Sequence, residues 1–171
     1  MRLVVPPALP FTVADAKAHT RIDHDADDAQ VEQAIKAAVA YLDGWTGVLH
    51  RALMPQTWEA TLDGFPSCRW RFPIGPVVSV EAIVYDDEDG DEQTFTDFGL
   101  VDGRLWLGDT PSLNDQIGAV RVRWVAGTGC RENEMQALYI LTTHFYDNRD
   151  GSQPAPNVHW LIGPGRAGAG L

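Results

Sequence analysis

Two segments of the chain repeat their apolar residues at steps of three and four positions, the spacing of one face of an α-helix. In the segment from 26 to 46, the apolar positions are Val31, Ala34, Ile35, Ala38, Leu42 and Trp45. In the segment from 132 to 149, they are Met135, Leu138, Leu141 or Thr142, and Phe145, with Tyr139 and Tyr146 on the neighbouring face. The pattern predicts two amphipathic helices that pack together.

Capping signals place the ends of these helices and predict a shorter helix before them. Residues 12–15 have the spacing of a capping box, so a short helix should begin there and stop near Thr20. Four acids within 21–28 precede the long helix, where carboxylates complement the helix dipole. We therefore expect the long helix to begin near Asp25 and to end at Gly44 to Gly47.

Between the helical patterns, the apolar residues alternate with polar ones or run together, as they do in β-strands. The predicted strands cover 57–62, 69–72, 77–85, 95–101, 104–107 and 120–125. Turns rich in Gly, Pro and Asp separate them. The strict alternation over 57–62 predicts a half-buried strand, and an antiparallel meander is the simplest topology.

Both ends of the chain have compositions that oppose regular structure. Prolines at positions 6, 7 and 10 predict an extended N-terminal arm. After 150, a Pro-rich stretch and a final stretch rich in Gly and Ala cannot fold alone. We expect residues 151–171 to form a flexible, extended tail.

These elements predict an α+β fold in one domain over 1–150. Its helical module would contain 12–50 and 131–150, with a β-rich antiparallel insertion at 55–127. A chain of 171 residues, 44% of them apolar, is long enough to bury such a core.

The charge of the chain limits its partners. The formal net charge is −11 and the sequence pI is near 4.6, whereas gripping a phosphate backbone needs clustered Lys and Arg. An acidic surface facing a passing duplex would instead keep it from sticking. The apolar run at the N-terminus is too short for a signal peptide core, and no window approaches the ~18 apolar residues of a membrane span. We expect no membrane partner.

Six carboxylates fall within seven residues at a predicted hairpin tip: Asp86, Asp87, Glu88, Asp89, Asp91 and Glu92. No basic residue is adjacent in sequence, so their repulsion requires solvation or a cation. A solvated hairpin is the simpler interpretation. The alternative is a small hydrolase or glycan-binding β module that uses these acids, but neighbouring acids on one turn cannot hold two opposed carboxylates around a sugar.

Other familiar chemistries lack essential residues. The acids from Asp23 onward resemble a calcium loop, but Asp28 replaces the required glycine and Ala34 the bidentate glutamate. The Gly127-Thr128-Gly129 turn lacks the remainder of a phosphate-binding motif. The cysteines at 68 and 130 and the five histidines form no metal or catalytic motif, and we interpret both cysteines as buried or half-buried thiols. We predict no catalytic residues, metal site or cofactor.

One apolar run interrupts the tail: Val158, His159, Trp160, Leu161 and Ile162. Such a run either folds back on its own domain or is kept for a groove on a partner. The sequence alone leaves both possibilities open.

Several short phrases, in their order along 4–150, resemble one protein family. They are Arg21-Ile22-Asp23, Trp45-Thr46-Gly47, Gln56-Thr57-Trp58, Leu62-Asp63-Gly64-Phe65-Pro66, Phe72-Pro73, Pro76-Val77-Val78-Ser79-Val80, Tyr85-Asp86-Asp87, Val125-Ala126-Gly127 and Phe145-Tyr146-Asp147-Asn148-Arg149. These phrases, and the layout of a helical module with a β-rich insertion, resemble the head-tail connector (adaptor or head-completion) proteins of tailed bacteriophages and related gene transfer agents.

This resemblance implies a structural protein and not an enzyme. It implies a homo-oligomeric ring of roughly twelve subunits beneath the portal protein, extending the DNA channel without binding DNA specifically. The next head-completion (stopper) or tail protein would dock below it, and the segment 158–162 is the candidate portal-binding segment. The chain would reside in the virion at the head-tail interface, and in the host cytoplasm before assembly. A free-standing scaffolding or regulatory subunit is a further alternative.

Overall fold

A computed structural model describes residues 1–67 and 69–163 of the protein. The fold is α+β, with four helices and antiparallel sheets in the described part. The chain divides into two compact units, each made from two segments. The β unit contains 1–7 and the described residues of 55–128, and the helical unit contains 8–54 and 129–163. Within the described residues, no helix is both long enough and apolar enough to span a membrane.

The helical unit is built around two long helices whose apolar faces meet. Its helices are α1 (Val13–Thr20), α2 (Asp28–Leu42), α3 (Glu132–Asp147) and α4 (His159–Ile162). Ile35 and Leu42 of α2 and Leu138 and Leu141 of α3 are fully buried in one core. The predicted packing of the two amphipathic helices is confirmed.

Local capping explains where the first helix begins. The Thr12 hydroxyl accepts a hydrogen bond from the Asp15 backbone N–H at 3.1 Å, and the Asp15 carboxylate accepts one from the Thr12 N–H at 3.0 Å. This is the predicted capping box. The second helix begins at Asp28, three residues later than predicted, and Asp25 remains outside it. Lys17 Nζ binds the carboxylates of Asp25 and Asp28, at 2.5 and 2.7 Å, and so holds both acids beside α1.

The β unit contains two antiparallel sheets. Its strands are β1 (Arg2–Val5), β2 (Gln56–Leu62), β3 (Trp70–Arg71), β4 (Val77–Asp86), β5 (Glu92–Phe95), β6 (Phe98–Val101), β7 (Arg104–Leu107) and β8 (Val120–Ala126). The five-stranded sheet has the order β1-β2-β8-β4-β5, and the three-stranded sheet has the order β3-β7-β6. Trp70 of the smaller sheet packs edge-on against the buried Trp124 of the larger sheet, with ring centroids 6.1 Å apart.

The simple meander is wrong, because the last strand lies between β2 and β4. Strand β8 alternates fully buried residues, Val122 and Trp124 among them, with half-buried ones, and a strand of that kind is stabilised by neighbours on both edges. Strand β2 is buried throughout 56–60 and not on one face alone. The side chain of Glu59 is covered by Arg2 and Arg123, which bind it from the two neighbouring strands. The N-terminal arm is extended, as predicted, and part of it forms β1.

One predicted strand is two strands. The chain leaves the five-stranded sheet after Phe95 and enters the three-stranded sheet at Phe98, and Thr96 and Asp97 form the corner. The backbone N–H of Gly108 donates to the Asp97 carbonyl at 2.8 Å and stabilises this corner.

The segment 158–162 differs from the expected flexible tail. Val158 and Ile162 are 2% and 0% exposed and belong to the core of the helical unit. The Asn133 side-chain amide donates to the Leu161 carbonyl at 2.5 Å. Burial of two branched apolar side chains offsets the cost of ordering this short segment. Residues 164–171 and Cys68 lie outside the described residues.

Candidate functional site

The predicted acidic hairpin forms between β4 and β5, with Asp86 paired opposite Glu92. The Asp87 carboxylate organises the turn: one oxygen accepts the backbone N–H groups of Asp89 and Asp91, at 3.1 and 3.0 Å. Its other oxygen accepts the Gln93 side-chain amide at 3.0 Å. The Gln93 hydrogen bond, followed by those from the backbone, lowers the pKa of Asp87 below its ordinary value. Asp87 is thus a structural carboxylate.

A basic partner for this hairpin comes from a distant strand. Arg121 of β8 forms ion pairs with Asp86 at 3.0 Å and with Glu92 at 2.7 Å. These contacts, with the Asp86 hydrogen bond first, raise the pKa of Arg121. No basic residue is adjacent to these acids in sequence, but strand pairing brings Arg121 to two of them, Asp86 and Glu92. Three acids at the tip remain exposed and form no ion pair with any described residue: Glu88, Asp89 and Asp91.

The acids of the hairpin are not grouped as metal ligands would be within the described residues. Within residues 1–67 and 69–163, no group of three or more His, Cys, Asp or Glu side chains is placed to hold a metal ion. Asp86, Asp87 and Glu92 already bind Arg121 or the turn itself. The arrangement can present negative charge to a partner, since its exposed acids point into solvent.

A second ionic group crosses the same sheet. Glu59 of β2 is ion-paired with Arg2 of β1 and Arg123 of β8, each at 2.7 Å. Burial tends to raise the pKa of Glu59, but the hydrogen bonds from Arg123 and Arg2 outweigh it, so the pKa lies below its ordinary value. These pairs join three neighbouring strands and stabilise the edge strand β1.

The half-buried thiol of Cys130 agrees with the sequence interpretation. Burial, with a smaller contribution from Glu134, raises its pKa to about 11. The thiolate is the reactive form of cysteine, so this thiol is inert at neutral pH.

The segment 158–162 divides into buried and exposed side chains. Val158 and Ile162 lie in the helical core, and Leu161 packs against it. Trp160 is 73% exposed and His159 is also exposed. The buried residues before and after Trp160 hold its short helix in place. An exposed, large aromatic side chain held in this way is suited to bind in a groove of a partner protein.

Sequence reasoning did not identify one further surface, the solvent-facing side of the three-stranded sheet. It carries Arg71, Arg104, Val101 and Trp106, and Arg69 lies beside them in the turn before β3. The alternation of Arg69, Trp70 and Arg71 was visible in the sequence, but the pairing with Arg104 depends on sheet register.

The whole chain is similar to chains of gene transfer agent particles. It is 25% identical to a chain of the virion of a native gene transfer agent particle, with a TM-score of 0.78, covering 100% of this chain and 98% of that one. It is 26% identical, with a TM-score of 0.74 and the same coverage, to a chain from the neck of an empty particle computed with C6 symmetry.

A chain from the neck of a native particle computed with C12 symmetry has the same fold, at 23% identity and a TM-score of 0.70 over 100% of this chain and 98% of that one. No protein-family model matches the sequence, and no curated protein matches it significantly. Similarity over the full length means that both units, and not one isolated unit, have counterparts in these particle chains.

Proposed function

We propose that the chain is a structural subunit of the neck of a phage-like particle, at the junction of head and tail. The observation that carries this proposal is the full-length similarity to a chain of a gene transfer agent virion, at a TM-score of 0.78. A second match, at 26% identity, comes from the neck itself. The order of sequence phrases that resembles head-tail connector proteins leads independently to the same role.

The finer role that we propose is that of a connector ring beneath the portal. The neck that contains the second similar chain was computed with C6 symmetry, which suits a ring of identical subunits. Rings of this kind use heterologous contacts, in which one surface of a subunit meets a different surface of the next. The described residues offer several large exposed apolar side chains for such contacts: Trp45, Val78, Val101, Trp106, Ile117 and Trp160.

We propose that the segment 158–162 docks on the portal through Trp160. Val158 and Ile162 anchor the short helix in its own core, so little further ordering is needed when a partner binds. The exposed indole supplies the apolar area of an interface anchor. The next head-completion or tail protein would bind elsewhere on the ring, and DNA would pass through the ring without specific contacts.

The hydrolase or glycan-binding alternative is less well supported. It requires free, opposed carboxylates at the hairpin, whereas Asp86 and Glu92 share Arg121 and Asp87 holds the turn. The exposed acids are adjacent on one tip. Charge display to another protein explains their arrangement better than sugar chemistry does.

Removal of the chain from its particle tests the neck proposal. Electron micrographs of particles made without the chain should show DNA-filled or emptied heads separate from complete tails, because the junction is missing. Supplying the chain again should restore joined particles. If particles without the chain carry tails at the normal frequency, it is not a neck component.

A further inference from the structure

The outer side of the three-stranded sheet is defined by strand register and alternation. Arg71 of β3 is paired directly opposite Arg104 of β7. The preceding pair, Trp70 and Leu105, faces inward, since Leu105 is fully buried and Trp70 packs on Trp124. Side chains alternate between the two faces of a strand, so Arg71 and Arg104 lie together on the outer side.

These arginines differ from the other arginines of the β unit. Arg2, Arg121 and Arg123 each bind at least one carboxylate. Arg69, Arg71 and Arg104 form no ion pair with any residue that the structure describes. Like charges placed directly opposite each other on neighbouring strands are destabilising. The folded chain tolerates this repulsion at Arg71 and Arg104, and a carboxylate from outside would relieve it.

An exposed apolar area continues this basic surface. Trp106 is 44% exposed and Val101 is 61% exposed, and both lie on the outer side of the sheet. Trp106 is paired with Gly99, which has no side chain to cover the indole. Arg69, Val101, Asp102, Arg104 and Trp106 line a pocket of about 500 Å³. Asp102 lies in this lining, but it forms no ion pair with the arginines within the described residues. Arginine and tryptophan together are the residues most enriched at the centres of protein interfaces. We call Arg69, Arg71, Arg104, Val101 and Trp106 the basic face.

The complementary charge lies at the opposite end of the same strand. Arg71 and Arg104 line a pocket with Val77, the first residue of β4. The acidic tip of Glu88, Asp89 and Asp91 follows Asp86, the last residue of β4. Ten strand residues span roughly 30 Å at about 3.3 Å per residue. The two surfaces are therefore too far apart to neutralise each other within one chain.

We propose that the basic face binds the acidic hairpin tip of a second copy of this chain, head to tail. Two complementary surfaces at opposite ends of one unit form a heterologous contact, which closes into a ring when the rotation allows. Charge complementarity selects the second copy as the partner, because the chain itself provides the exposed carboxylates that the arginines lack. This contact rests on the proposed ring and would be the interface between its neighbouring subunits.

Charge reversal of each surface tests this contact with the full chain. The face variant is Arg71→Glu with Arg104→Glu, and the tip variant is Glu88→Lys with Asp89→Lys and Asp91→Lys. Sedimentation velocity at low salt should show self-association of the wild type, and at least about tenfold weaker association of either variant alone. An equimolar mixture of the two variants should associate again, because each reversed face meets a reversed tip. Circular dichroism verifies that both variants fold.

Two control variants, each of which reverses one exposed charge of the helical unit, test whether any change of charge weakens self-association. Arg21→Glu and Asp23→Lys change exposed charges of the helical unit and should leave self-association within about twofold of the wild type, because single exposed charges away from a contact contribute little. A wild-type chain that stays monomeric at low salt, or a mixture of variants that fails to associate, overturns the contact. Binding of duplex DNA by the basic face would also overturn the contact. In that case the wild type would raise the fluorescence anisotropy of labelled DNA, the face variant would not, and self-association would be the same in both.

The outcome is distinguishable from failure of the neck proposal. If the chain joins heads to tails while both charge-reversed variants assemble as the wild type does, the proposed contact between basic face and acidic tip is wrong and the neck role stands. If particles lacking the chain carry tails normally, the neck role fails whatever the association measurements show.

Discussion

Arg51 and Glu134 form an ion pair in the interior of the helical unit, with side chains only 9% and 0% exposed. Glu134 also accepts the backbone N–H of Arg131 at 2.9 Å at the start of α3. The pair therefore fixes the segment after α2 to the beginning of α3. Its two residues come from the two chain segments that build the helical unit, one before and one after 55–128 in the sequence.

Breaking this pair should destabilise the fold strongly. Arg51→Met leaves the Glu134 carboxylate buried without its main partner, and such a loss typically costs about 3–5 kcal/mol of unfolding free energy. Urea unfolding followed by circular dichroism measures it. Lys36→Met removes an exposed pair with Glu32, one helical turn away, and is the control, with an expected cost below about 1 kcal/mol. Equal effects of the two substitutions would contradict the importance of the buried pair.

Two substitutions in α4 should distinguish a residue that stabilises the fold from a residue that is exposed for binding. Ile162 is fully buried, so Ile162→Ala should lower the unfolding free energy by about 2–4 kcal/mol. Trp160 is mostly exposed, and Trp160→Ala should change it by less than about 0.5 kcal/mol. Denaturant unfolding of both variants provides the comparison. A neutral Ile162→Ala would mean that the segment does not belong to the core in solution.

Trp160 should matter where a partner is present. Truncating an interface anchor costs at least about 2 kcal/mol of binding, so Trp160→Ala should bind isolated portal rings roughly thirtyfold more weakly. Trp45→Ala, at another exposed tryptophan of the helical unit, is the control and should bind as the wild type does. Calorimetry or surface plasmon resonance measures both. Wild-type affinity in the Trp160→Ala protein would exclude Trp160 as the portal anchor.

Stability should fall in acid partly because of Glu59. Its pKa in the folded chain lies below the ordinary value of 4.5, because Arg123 and Arg2 bind the charged form. As the pH falls, Glu59 therefore takes up a proton in the unfolded chain before it does so in the folded chain. Its contribution to the unfolding free energy is present above pH 4.5 and is lost as the pH falls through the pKa of the folded chain. Unfolding free energy measured from pH 6 to 3 should decline less steeply in Glu59→Gln. An identical decline would show that Glu59 is not coupled to folding.

Local signals in the sequence predicted local structure well. The capping box of Thr12 and Asp15 lies within four residues, and both of its hydrogen bonds form. The apolar residues at steps of three and four positions predicted which faces of α2 and α3 are buried, because this spacing alone decides which face of a helix is apolar. The Asp-Gly signal likewise gave the β4–β5 hairpin.

Features that depend on distant pairing were not predictable in the same way. Arg121 neutralises Asp86 only because β8 enters the sheet beside β4, and the meander expectation placed it elsewhere. Arg71 and Arg104 meet only through the register of β3 and β7. The sequence left open whether 158–162 folds back, since burial of Val158 and Ile162 depends on the shape of a core assembled from separate segments.

Cryo-electron microscopy of the neck, in particles that contain the chain, tests directly whether the chain is a ring subunit there. We expect a ring of identical copies between head and tail, with the DNA channel on its axis and Trp160 of each copy against the portal. Density for the chain outside the neck, or a neck fully explained by other proteins, would contradict it.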